Sequence, residues 1–97
     1  MILSVLELPA RYAQPERAIA DCELLLRERP ADVCLLPEAA LTGYVSPRGD
    51  FDLTRFAEPE DGPLARRLAA LARAHQCHVV GPRVLAEGDR RYNAMAH

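Results

Sequence analysis

Glu38 follows the apolar run Val33-Cys34-Leu35-Leu36 and Pro37, in a segment that continues Ala39-Ala40-Leu41-Thr42-Gly43-Tyr44. Four apolar residues in a row read as a buried strand. Pro37 lacks the backbone donor needed to extend it. A carboxylate placed there stands at the carboxyl edge of a parallel α/β sheet, where such folds bind ligands. Flanked by Leu35-Leu36 and Ala39-Ala40-Leu41, its charged form is expected to be desolvated and its pKa raised, as a general base requires. The chemistry expected of Glu38 is proton abstraction, against the blander reading of a solvated surface carboxylate. Tyr44 either lines a substrate pocket beside that base or caps the core under the loop that follows. Asn93 lies in an apolar strand and must satisfy its amide by hydrogen bonding. It is expected to brace the loop carrying Glu38 or to serve the fold alone.

The other reactive side chains point less clearly to chemistry. Cys34 lies within the strand and Cys22 on a helix core face, and thiols buried in apolar surroundings are inert. Cys77 sits between His75 and His78, but zinc sites need well-separated ligand pairs and usually four ligands. All three cysteines and these histidines are expected to be packing residues, so neither a metal nor a cofactor is expected. The odd cysteine count matches no disulfide framework. Reduced thiols in a cytoplasmic protein are the expectation.

The elements that must position Glu38 follow from periodicity and punctuation. Residues 2–8 suit a buried first strand, closed by Pro9. From 15 to 29, Ala18, Cys22, Leu25 and Leu26 share a helical face, with Pro15 in the first turn and Arg27 and Arg29 in the last. The second strand spans 33–36. Residues 42–61, rich in Gly, Pro and acids, predict an irregular loop of a length that is usually either functional or flexible. Pro63 opens a second helix with Leu64, Leu68, Leu71, Ala72 and His75 on one stripe and Arg66, Arg67 and Arg73 outward. The third strand runs from about 77 to 85. A turn at 87–90 leads into a fourth strand over 91–97, antiparallel to the third. The order is β-α-β-loop-α-β-β, a mostly parallel α/β sheet, with one domain over 1–97. Helices on one side leave the other face in need of cover that these elements do not supply.

Composition narrows the classes. The chain is 97 residues long, 49% hydrophobic and 27% charged, with a net charge of −2 and all twelve basic residues arginine. A chain of this length buries roughly 60 to 70% of its unfolded surface, enough for one modest core. Without concentrated positive charge there is no case for nucleic acid or an anionic membrane. No apolar run reaches the length of a membrane span, and the strand-like start lacks the features of a signal peptide. A dinucleotide-binding turn is excluded by the glycine-free Leu8-Pro9-Ala10-Arg11-Tyr12, and a P-loop by the lack of lysine.

Taken together, the sequence resembles the nitrilase superfamily, the carbon–nitrogen hydrolases. The resemblance rests on Leu36-Pro37-Glu38 with Thr42-Gly43-Tyr44 downstream, on Gly62-Pro63, on Val79-Val80-Gly81 and on Tyr92-Asn93. It implies the N-terminal part of a four-layer α-β-β-α sandwich. It also implies a Glu-Lys-Cys constellation hydrolysing non-peptide C–N bonds of a small amide, carbamoyl compound or nitrile through a covalent acyl-enzyme. Glu38 takes the general-base position, and Tyr44 lies where the matching motif contacts substrate. The lysine and nucleophilic cysteine belong further downstream, so the chain is expected to be a truncated, inactive piece of a homo-oligomeric enzyme. The rival expectation is a non-catalytic α/β module that binds a partner or completes another chain's sandwich.

Overall fold

The computed structural model describes residues 1–97. In chain order it contains β1 (Leu3–Val5), α1 (Pro15–Glu28), β2 (Val33–Leu35), a single 3-10 turn (Thr54–Phe56), α2 (Pro63–His75), β3 (His78–Glu87) and β4 (Arg90–Ala96). The four strands form one sheet in the order β1-β2-β3-β4. Pairing is parallel between β1 and β2 and between β2 and β3, and antiparallel between β3 and β4.

Both helices start on a proline, whose fixed φ suits the first turn and whose missing N–H has no helical partner to lose. The second helix stops where Gln76 adopts a left-handed conformation (φ 51°) and donates its N–H to the carbonyls of Ala72 and Arg73. Two pairs join the helices side by side: Arg67 bonds Glu16, and His75 Nε2 lies 2.7 Å from Glu23 Oε2.

Strand alternation divides the sheet into two unlike faces. Cys34 and its register partner Val79 turn toward the helices and pack with Leu6, Ala18, Ile19, Cys22, Leu26, Leu36, Leu41, Leu68 and Leu71 in one core. The rows Leu3–Val33–His78 and Val5–Leu35–Val80 belong to the opposite face. Leu3 and Val5 there are 61% and 66% exposed. The chain thus forms two layers, one sheet and one helix layer.

Three boundaries differ from expectation. The first strand is shorter than 2–8, because β2 ends before Pro37 and Leu6 N–H to Leu35 O (2.9 Å) is the last rung between them. The third strand runs on to Glu87, since a two-residue turn at Gly88-Asp89 lets β4 pair along its whole second half. The 42–61 segment is not wholly irregular. Glu58 docks on β3 as an isolated parallel bridge, with Glu58 N–H to Val84 O at 3.0 Å and Ala86 N–H to Glu58 O at 2.7 Å. The outer edge of β3 is therefore shared, with β2 on its first half and Glu58 on its second.

Candidate active site

The end of β2 is built to turn sharply. Leu36 N–H makes the last rung to Val80 O (2.9 Å), and Pro37 offers no donor beyond it. Ala39 takes a left-handed conformation (φ 55°), and its carbonyl accepts the Gly43 N–H at 2.7 Å. Gly43 is left-handed as well (φ 78°), and these two reversals fold 39–43 into a compact turn that brings Tyr44 back over Glu38. The turn is fastened to the loop after β1 by Ala13 N–H to Thr42 O, 2.9 Å.

Glu38 projects from this turn with both carboxylate oxygens engaged. The Tyr44 hydroxyl donates to Oε2 at 2.5 Å, and Asn93 Nδ2 donates to Oε1 at 2.6 Å. Asn93 is delivered by β4, where it stands opposite Val84. All three residues expected at the site thus meet, although Asn93 is 55 positions from Glu38.

The expected elevation of the Glu38 pKa is overturned. Tyr44 first and Asn93 second stabilise the carboxylate and hold it below the usual glutamate range, outweighing a small opposing desolvation. The same bond to Glu38 raises the Tyr44 phenol. The physical reason is exposure: Glu38 is open to solvent, so hydrogen bonding decides its ionisation where enclosure had been expected to. Asn93 too is exposed and not buried in its strand, and Tyr44 is exposed, so it does not cap the core.

Glu38 stands between two clefts. One, about 470 Å³, is lined by Leu8, Pro9, Tyr12, Ala40, Tyr44 and Val45 among others. The second, about 290 Å³, is lined by Leu35, Leu36, Asn93, Ala94 and Met95. Apolar walls with few polar groups at their junction suit a small organic ligand.

The cysteines stay apart from this chemistry. Burial pushes the Cys22 thiol up to about 12 and the Cys34 thiol to about 11, and raises Cys77 as well. Thiols so shifted are protonated and poorly nucleophilic at neutral pH. His75 is bonded to Glu23, and His78 Nδ1 lies 3.0 Å from His97 Nε2.

A buried pair that ties the start of α2 to β3 escaped the sequence reading. The Glu58 and Arg83 side chains are each 6% exposed and lie 3.6 Å apart. Glu58 Oε2 accepts the Leu64 N–H at 2.7 Å and Oε1 the Ala65 N–H at 3.0 Å, which caps α2 with negative charge at its positive end. Arg83 donates to the carbonyls of Pro59 and Glu60. Gly62 is needed beside this carboxylate, since a Cβ there would come 2.5 Å from the Glu58 Cβ. The available signal was Arg83 itself, a lone cation in an apolar strand that had to find a buried acid.

The carbon-nitrogen hydrolase family profile matches residues 4–96. The chain belongs to the carbon-nitrogen hydrolase family. Among solved structures it is similar to XC1258 from Xanthomonas campestris, a CN-hydrolase superfamily protein with an arsenic adduct in its active site. That similarity is 21% identity and a TM-score of 0.73 over 96% of this chain and 34% of the other. It is similar also to an N-terminal amidase, solved with an Asn-Glu peptide and with a Gln-Val peptide. Each of these gives 20% identity and a TM-score of 0.75 over 96% of this chain and 24% of the amidase. At such identities the likeness shows the shared fold. The chain spans about a third or less of the length of the structures it matches. A search of curated proteins found no match. No helix of the chain is long and apolar enough to cross a membrane.

Proposed function

We propose that Glu38 is the general base of a hydrolase acting on non-peptide C–N bonds, of the amide, carbamoyl or nitrile type. The observation that carries this reading is the arrangement at the end of β2. There a solvent-open carboxylate on a tight turn is oriented by two donors from separate elements and stands between two apolar-walled clefts. Family membership supports the same role for it. On this reading Glu38 takes the proton from a cysteine thiol and the resulting thiolate attacks the substrate carbon. With an amide or carbamoyl compound the proton passes to the departing nitrogen; with a nitrile it passes to the nitrogen of a thioimidate, which leaves as ammonia once a water has added. Glu38 then takes a proton from the water that cleaves the acyl-enzyme.

The chain has no lysine, and its cysteines carry raised pKa values. The proposal therefore draws the nucleophile and the oxyanion-stabilising ammonium from residues outside these 97, and the chain alone is proposed to be inactive. Removing an oxyanion donor typically lowers kcat by about 10²–10³-fold, and without the nucleophile the covalent route is lost. The test is Glu38→Gln in a full-length hydrolase carrying this chain, assayed on simple amides and nitriles with acyl-enzyme trapping. Loss of both turnover and thioester formation is expected. Undiminished turnover in the folded variant excludes the role.

A further inference from the structure

We propose that Tyr44 is a positioning residue that acts through Glu38, sharing the carboxylate with Asn93 as a two-point clamp with one donor on each oxygen. This rests on the general-base reading above and deepens it. An ionised carboxylate has about four acceptor positions. The Tyr44 hydroxyl takes one on Oε2 and the Asn93 amide one on Oε1, at 2.5 and 2.6 Å. Each oxygen keeps room for one further proton or hydrogen bond, and rotation of the group is stopped.

The backbone is arranged for this contact. The left-handed residues Ala39 and Gly43 close the turn that returns Tyr44 to Glu38. Pairing of Asn93 with Val84 sets the other donor at the right height along β4. The single phenolic proton of Tyr44 is committed to the base, so its role differs from the substrate contact expected from its motif.

The other charged or titratable groups near Glu38 are engaged elsewhere. Arg11 and Tyr12, from the loop after β1, line the larger cleft. Arg11 is bonded to Asp21, and the Tyr12 hydroxyl accepts from Arg55 at 3.4 Å. The smaller cleft contributes no other ionisable side chain. Deleting the Tyr44 donor should therefore act on Glu38 with no neighbouring charge to compensate. A clamp that favours the ionised form keeps the base charged into more acidic solution.

The test uses the 97-residue chain and then the full-length enzyme. Carboxyl-carbon NMR titration should place Glu38 below the usual glutamate range, and both Tyr44→Phe and Asn93→Ala should move its midpoint upward. As a reciprocal measurement, Glu38→Gln should lower the ionisation midpoint of the Tyr44 phenol toward the ordinary phenol range, read by ultraviolet absorbance. A Glu38 midpoint unmoved in folded Tyr44→Phe, or a Tyr44 midpoint unmoved in folded Glu38→Gln, overturns the clamp. In the full-length enzyme, Tyr44→Phe should shift the acidic limb of the kcat/KM profile to higher pH with KM retained. A raised KM with an unmoved limb would instead make Tyr44 a substrate contact. These titrations need no turnover, so failure of the clamp and failure of Glu38 as the base are separately visible.

Discussion

Gly43 lies main chain to main chain against Tyr12: a Cβ on Gly43 would come 2.9 Å from the Tyr12 Cα and nearer still to the Arg11 carbonyl oxygen. Adding a methyl group forces apart the two loops that frame the larger cleft and also imposes a left-handed conformation on a residue with a Cβ. Gly43→Ala is expected to lower stability by about 2 to 5 kcal/mol, from roughly 1–2 for the backbone and 1–3 for overpacking. Urea denaturation followed by circular dichroism measures this. A change within about 0.5 kcal/mol, the size of an ordinary surface substitution, would show that the loops do not touch as described.

Ala39 tests the opposite case, a left-handed residue that already carries a Cβ. Glycine relieves a backbone penalty of roughly 1–2 kcal/mol but adds freedom to the unfolded chain. Ala39→Gly should therefore be neutral or stabilising by up to about 1 kcal/mol, while Ala39→Val should destabilise. The order of the three melting temperatures is the readout, and valine melting above glycine would contradict the assigned conformation.

Removing Glu58 strands a buried cation and uncaps α2 at once. Glu58→Ala is expected to cost about 3–5 kcal/mol, whereas replacing the pair together, Glu58→Leu with Arg83→Met, should cost less than the single change. Equilibrium unfolding of the two variants decides this. A double variant less stable than Glu58→Ala would mean that the pair contributes more than mutual neutralisation.

The buried thiols give the fold an alkaline limit. Cys22 and Cys34 ionise at about 12 and about 11 in the folded chain against 9.0 for an unperturbed thiol. Above pH 9 the unfolded chain releases these protons first and binds fewer than the folded one. Stability is fully present below that pH and should fall as pH rises toward 11 and 12. Denaturation midpoints measured across this window should decline, and Cys22→Ala should flatten the decline. A flat wild-type profile would show that these thiols are not held protonated by the fold.

Much of this architecture was legible because its signals are local. Pro15 and Pro63 mark both helix starts, and apolar spacing identifies Cys22, Leu26, Leu68 and Leu71 as the helix residues facing the sheet. The meeting of Glu38 with Asn93 was only partly legible, since it depends on the β3–β4 register that pairs Val84 with Asn93. The charge state of Glu38 was misread for a related reason. Apolar neighbours in sequence suggested enclosure, but Leu36 and Leu41 turn into the core while Glu38 turns outward. Glu58 was hidden in a loop whose Gly and Pro content masked the one residue that pairs with β3. Its contact with Arg83 spans 25 positions, beyond any local pattern.

The row Val5–Leu35–Val80 supplies a reporter that asks nothing of catalysis. A dye that brightens on greasy surfaces should light up on this chain alone, where Val5 is open to water. Mixed with a candidate polypeptide that seats against the row, the same sample should go dark. Reconstitution can thus be followed in a cuvette before any substrate is known.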